Sequence, residues 1–345
     1  MHRQALQPLL SEWLPDASDF ESASSAGDFG RFLTRHHLQT LWLDLLGAGG
    51  NPSRFATLEQ TLREGAKMWA ALELSQRNVM HQAHSLLETA GIPYFFAKGV
   101  HLQQVLYDRP SQRASSDIDI FIRRSDRRVA LRGFLQSGFD ARPLADTISH
   151  EVRLRRHNSD VDLHWDLFRP GRANPQIMDW LFGRRERFGE YWGLDGTASL
   201  LVMLVHPAIT KYLLSPASML IHLVDQVRLM RGGRVDWAEL TDGLTRSDTR
   251  TAAWSSLYVL RLLTGTEAPQ EFERSLRPGR LTRWYLRQWI DRAWITRWFE
   301  RRRLVAGLFS LALQDSWADR LRAVRSLRAA GRDAPALMEE VQQLS

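Results

Sequence analysis

The sequence predicts an α+β protein: strands confined to a central segment, helices ahead of it and an all-helical stretch behind it. Three observations predict this. Residues 91–170 alternate short apolar runs with Gly turns and helix-like stretches, and residues 53–90 carry one long pattern of apolar positions spaced three or four apart. Beyond Pro170 the helical pattern returns for nearly the whole remainder. The expected regions are 1–90, helical, then 91–170, the sheet-bearing core, then 171–345, helical.

Taken in order, Leu6, Leu9, Leu10 and Trp13 fall on one helix face, and Phe32, Leu33, Leu38, Leu41, Trp42 and Leu45 on another. Gly47 to Gly50 with Pro52 break the pattern. A long helix then runs to Ala90, where Gly91 ends it. Ile92 to Ala97 reads as a strand closed by Lys98-Gly99, and a helix through His101, Leu102, Val105 and Leu106 follows. Ser116 to Ile122 is the next strand, and Asp126 is placed to cap a helix that Gly138 closes. Phe139 to Leu144 and His150 to His157 read as edge-like strands, Val161 to Trp165 as a third apolar strand. In the second edge strand Val152 and Leu154 alternate with Arg153 and Arg155, which the pattern assigns to a solvated face.

Asp117 and Asp119 interrupt a run that otherwise reads as a buried strand. Residues i and i+2 share a strand face, so the two carboxylates point the same way and Ile118 and Ile120 the other. Like charges so close raise each other's pKa unless a cation lies between them, and a divalent metal is the usual solution. A lone Asp-x-Asp also occurs as the wet start of a strand. What distinguishes this one is Asp162, a third carboxylate on a strand of its own.

Gly91-Ile92-Pro93, Lys98-Gly99, Arg113 ahead of Ser116-Asp117-Ile118-Asp119, Gly138-Phe139 and Asp162-Leu163-His164-Trp165, in that order, resemble a bacterial group of uncharacterised nucleotidyltransferases within the polymerase-beta superfamily. The resemblance implies a small mixed-sheet minimal nucleotidyltransferase domain at 91–170, flanked by the N-terminal helices and the C-terminal helical domain. It extends less specifically over most of the chain, to polar positions such as His150, His206 and Asp225. One departure from the wider superfamily is Lys98-Gly99, where a Gly-Ser pair is usual. The resemblance implies a two-metal site for Mg²⁺, or Mn²⁺, held by Asp117, Asp119 and Asp162, with Asp162 on the metal that binds the acceptor oxygen. Lys98, Gly99, Arg113, Ser116 and His164 are then the nucleotide contacts: Gly99 for close backbone approach, Lys98 as a point charge and Arg113 as a phosphate fork. His164 shares a strand face with Asp162 and is placed to orient it, to touch nucleotide or to pack beside Trp165.

The expected partners are a nucleoside triphosphate and a small-molecule, saccharide or peptide acceptor. Transfer from a nucleotide sugar on the same metal site, and RNA modification or binding, remain as alternatives. The net charge of +7, nearly all from arginine, suits phosphate-bearing ligands without favouring nucleic acid. With no cysteine, disulfides, thiolate ligands and a Cys nucleophile are excluded. No run reaches the roughly 20 apolar residues of a membrane helix, and the N-terminus lacks the pattern of a secretory signal, so a cytoplasmic enzyme is the expectation. Trp284, Trp289, Trp294 and Trp298 recur at helical spacing and read as core under arginine stems. Arg301-Arg302-Arg303 ahead of Leu304 to Leu313 has the make-up to touch a membrane surface in a run too short to span one.

Overall fold

The computed structural model describes residues 1–11, 23–48, 55–143, 149–211, 213, 220–292 and 303–344. Helices α1 (His2–Ser11), α2 (Ala23–Arg35) and α3 (Gln39–Ala48) share one core with the first half of α4 (Ala56–Thr89), built from Leu6, Leu33, Trp42 and Leu62. The Trp42 indole N–H donates to the Ala5 carbonyl at 3.0 Å, so that buried ring is satisfied. At 34 residues α4 is about 50 Å long, enough for its second half to reach a different core. It stops where the sequence predicts. Ile92 N–H donates to Leu87 O and Gly91 N–H to Glu88 O, a Schellman closure that needs the left-handed φ of +64° at Gly91.

The chain then enters a seven-stranded mixed sheet in the order β3-β4-β5-β2-β1-β7-β6. The strands are β1 (Tyr94–Ala97), β2 (Asp117–Ile122), β3 (Asp140–Arg142), β4 (Glu151–Arg156), β5 (Ser159–His164), β6 (Arg185–Phe188) and β7 (Tyr191–Leu194). Central β2 runs antiparallel to β1 and parallel to β5. Helix α5 (Lys98–Leu106) follows β1 directly, and α6 (Arg127–Gln136) carries the crossover from β2. Asp126 stands at the head of α6 but makes no side-chain capping bond.

The two faces of the sheet differ because the strand period is two. Ile118, Ile120, Phe96, Val152, Leu154, Val161 and Leu163 bury one face beneath Val79, Ala83 and Leu87 of α4 and Phe134 of α6. The opposite face carries Phe95 and Phe121, packed toward α7 (Gln176–Gly183) and α8 (Gly196–Lys211), and beside them the charged residues. Helices α9 (Ile221–Arg231), α10 (Trp237–Arg246), α11 (Arg250–Thr264), α12 (Gln270–Leu276), α13 (Arg280–Asp291), α14 (Arg303–Ala312) and α15 (Trp317–Leu344) complete the chain. α8 is buried almost all round, and α10 and α11 pack against it.

Two expectations change. The stretch beyond Pro170 is not helical throughout, since β6 and β7 form a hairpin and β7 adds to β1 in parallel through Phe96 and Gly193. Each strand has four residues, too few for a clear alternation, and the turn signal is Gly189 at φ +58° followed by Glu190. Trp284 is exposed rather than core, whereas Trp289 does lie near a core ring, Phe309, at 6.3 Å. Trp294, Trp298, Arg301 and Arg302 lie outside the described residues, as do Trp13 and Leu144.

Candidate active site

Strand register lines up the charged residues of the sheet wall. Asp119 lies opposite Asp162 on β5 and opposite Ala97 on β1, and Asp162 lies opposite Arg153 on β4. Arg153, Asp162, Asp119 and the residue just past Ala97, Lys98, therefore cross the sheet in a row. A parallel row, Glu151, His164 and Phe121, lies on one side of it, and Arg155, Asp160 and Asp117 on the other.

The side chains use these positions as a charge lattice. Asp119 Oδ1 accepts from Lys98 Nζ at 2.7 Å and from His164 Nε2 at 2.9 Å. His164 Nδ1 lies 3.0 Å from Glu151 Oε2, and its ring stacks on Phe121 with centroids 4.5 Å apart. Burial disfavours the imidazolium, but Glu151 and the bond to Asp119 outweigh it, and the His164 pKa rises to about 9. Burial likewise opposes charge on Asp119, yet Lys98 and His164 hold its carboxyl well below the usual range. Glu151 falls to about 2 as His164 overcomes its burial.

Asp117 behaves oppositely. Burial first, then the charges of Asp119 and Asp162, push it up to about 6. Lys98 and Lys211 offset this only in part, so Asp117 is the carboxylate that most lacks a counter-ion.

Lys98 reaches Asp119 because its backbone is left-handed, φ +52°, uncommon for a residue with a Cβ. Gly99 has no room for one: it would stand 1.9 Å from Ser115 Oγ. Ser115 is held in turn, its carbonyl accepting from Gln76 at 2.9 Å and its hydroxyl donating to Asp117 O at 3.1 Å.

A cavity of about 400 Å³ opens over this face, and Lys98, Gly99, Arg113, Ser116, Asp117, Asp119, Asp162 and His164 all line it. His150 and His206 line it too, whereas Asp225 lies beneath, bound to Arg113. Four placements differ in detail from the sequence reading. Arg113 does not hold a free fork toward the cavity: its Nε bonds both Asp225 oxygens at 3.1 Å and its Nη2 bonds Oδ2 at 2.7 Å, with Tyr107 OH donating to the same carboxylate. Lys98 is buried in an ion pair, not loose in a loop. His164 bonds Asp119, on the neighbouring strand, rather than orienting Asp162. Arg153 is only half in solvent and is paired, its Nε meeting Asp162 Oδ1 at 2.8 Å.

Glu151 was missed, and a signal existed. A two-residue turn at His157-Asn158 pairs Arg156 with Ser159, and counting back from that pair sets Glu151 opposite His164. No local signal brings in His37, Arg169, Arg172, Lys211 and His222. They arrive on the second cavity wall from the N-terminal helices, the segment after β5, α8 and α9.

The donor set fits a hard divalent cation. Asp119, Asp162 and His164 each offer one atom, all within 4.8 Å of one another, and Asp117 shares their cavity. Carboxylate oxygens suit Mg²⁺ or Mn²⁺, while an imidazole nitrogen favours the softer of the two. Both nitrogens of His164 lie beside carboxylates, those of Asp119 and Glu151.

No curated protein and no solved structure matches this chain. A family model described as uncharacterised nucleotidyltransferase matches residues 22–265, which takes in the whole sheet and every residue lining the cavity. With well over half its length covered by that match, and with a carboxylate-lined cavity inside it, the chain belongs to the uncharacterised nucleotidyltransferase family.

Proposed function

We propose that this protein moves a nucleoside monophosphate from a nucleoside triphosphate to a hydroxyl or phosphate oxygen of an acceptor. The acceptor oxygen attacks the α-phosphorus, the bond to the bridging oxygen breaks, pyrophosphate leaves, and the acceptor proton passes to solvent. The observation that carries this reading is the row of Asp119 and Asp162, with Asp117 beside it, on one wall of a cavity whose other walls bring Arg169, Arg172 and Lys211.

Asp117, Asp119 and Asp162 would hold the divalent cations, Asp162 the one nearer the acceptor. The cations would neutralise phosphate charge and lower the pKa of the attacking oxygen. The chain's own residues do the rest. Lys98 and His164 keep Asp119 ionised, so a cation finds it already deprotonated. Gly99 leaves room for Ser115 and would let the backbone come close to the phosphates. Arg169, Arg172 and Lys211 offer positive charge from the facing wall, where the triphosphate tail would lie.

The test is incubation with Mg²⁺ and triphosphates labelled at the α-phosphate, with candidate acceptors, followed by analysis for the label. Label on the acceptor, lost in Asp162→Asn by about two or more orders of magnitude while nucleotide affinity stays within about tenfold, supports the proposal. Transfer of a sugar from a nucleotide sugar with no α-label moved would replace it with glycosyl transfer. Wild-type turnover in Asp162→Asn would sink the three-carboxylate mechanism.

A further inference from the structure

The charge of the chain is lopsided. Residues 277–332 hold 14 arginines against 4 acidic residues, a net of +10, whereas the whole chain carries only +7, leaving −3 for all the rest. This stretch lies beyond the family match, which ends at residue 265. Among the described residues it supplies neither a wall of the catalytic cavity nor a strand of the sheet.

The same stretch exposes apolar side chains. Ten large apolar residues are exposed among the described residues, and six of them fall here: Leu281, Trp284, Leu308, Trp317, Leu321 and Val324. Leu281 is 83% exposed and Trp317 75%, so these are whole side chains in water, not edges of a core. Trp317, Leu321 and Val324 recur at i, i+4 and i+7 and form one stripe along α15. Leu281 and Trp284 stand one turn apart on α13. The two stripes are neighbours, because Arg320 Nη2 reaches Thr282 Oγ1 at 3.4 Å, and α14, with Leu308, packs against both helices. The Arg320 guanidinium lies 4.6 Å from the centre of the Trp317 ring, so charge and apolar surface share one face.

Charge decides the occupant. A stretch this rich in arginine asks for an anionic partner, and four of the six exposed side chains are aliphatic, unable to stack on bases. Leu and Val beside Trp and Arg instead match an interface of acyl chains below and anionic headgroups above. We propose that α13, α14 and the first turns of α15 dock this protein on an anionic lipid surface, lying in the interface without crossing it. Among the described residues no helix is long and apolar enough to cross a membrane, in keeping with docking from one side. The face adjoins the catalytic cavity: Gln314 Nε2, between α14 and α15, bonds Arg172 O at 3.2 Å, and a Cβ at Gly171 would stand 2.5 Å from that of Ser326 on α15. A docked molecule therefore holds the Arg169–Arg172 rim near the headgroups. The inference stands on charge and exposure and does not depend on which group the enzyme transfers.

The 345-residue chain is sedimented with phosphatidylcholine vesicles and with vesicles in which about 30% of the lipid is phosphatidylserine, at low and at near-physiological salt. The expected result is binding to the anionic vesicles, little to the neutral ones, and weakening as salt rises. The double variants Trp317→Ser with Leu321→Ser, and Leu281→Ser with Trp284→Ser, are each expected to lose on the order of tenfold in vesicle affinity, with the wild-type melting temperature. Two separate pairs of exposed residues keep the test readable if one variant folds poorly. No sedimentation with anionic vesicles, or equal sedimentation by both variants, overturns the proposal. Tighter binding to single-stranded RNA than to the vesicles assigns the face to nucleic acid instead. Self-association of the wild type that both variants abolish, without vesicle binding, assigns it to a second copy of the chain.

Discussion

Asp117 gives the sharpest test of the carboxylate lattice. Its carboxyl is pushed up to about 6 from an ordinary 3.8, mainly by burial and then by Asp119 and Asp162. An acid whose folded-state pKa is raised keeps its proton longer in the native state than in the unfolded one. Stability is then lost as pH rises from about 4 to about 6, and the full penalty is present above that window. A displacement of about two pH units corresponds to roughly 3 kcal/mol, an upper figure for a carboxyl that water reaches in part. Asp117→Asn removes the penalty and keeps the shape. At pH 8 without metal the variant is expected to be more stable than wild type by about 1–3 kcal/mol, or about 3 °C in melting temperature for a chain this long. Near pH 4 the two are expected to melt within about 0.5 kcal/mol of each other, since native Asp117 is then protonated and the unfolded carboxyl only about half ionised. Magnesium should reverse the ranking, because a cation bound to the native state stabilises wild type more than a variant with one ligand missing. Thermal melts at pH 4, 6 and 8, with and without millimolar Mg²⁺, read all of this. If Asp117→Asn melts with wild type at pH 8 in both conditions, the repulsion and the metal cradle are both refuted.

Three further outcomes follow from the same geometry. Arg113→Ala should cost about 3–5 kcal/mol in urea denaturation by stranding the buried Asp225 carboxylate, where a phosphate-binding role alone would leave stability unchanged. His164→Gln should lose the stability that the imidazolium contributes; that contribution is complete below about pH 6.5 and fades as pH rises through about 9, so the gap from wild type should close across that window, and a gap constant with pH would count against a charged His164. Gly99→Ala should force Ser115 aside at a cost of about 1–3 kcal/mol and weaken nucleotide binding in calorimetric titration, and wild-type values for both would remove the close approach from the site.

The sequence by itself determined what is local or periodic. The end of α4 was legible because Gly91 and Pro93 allow only one kind of helix stop there, and the Asp117-Asp119 pair because a period of two admits no other facing. Asp162, Lys98 and His164 were legible as members of an ordered pattern, though not the bonds they make. The hairpin of β6 and β7 was lost because four-residue strands carry too little alternation to outweigh the helical stretches around them. Tertiary structure alone decided the ion pairs between elements distant in the chain. Arg113 meets Asp225 across 112 positions of chain, and only the seating of α9 beneath the loop before β2 turns the expected phosphate fork into a buried brace. The second cavity wall, with His37, Lys211 and His222, was decided in the same way, by helices remote in sequence packing over one face of a sheet. Sequence pattern states which face of an element is charged; which charge answers it depends on distances between elements, and those are fixed only when the cores beneath them pack.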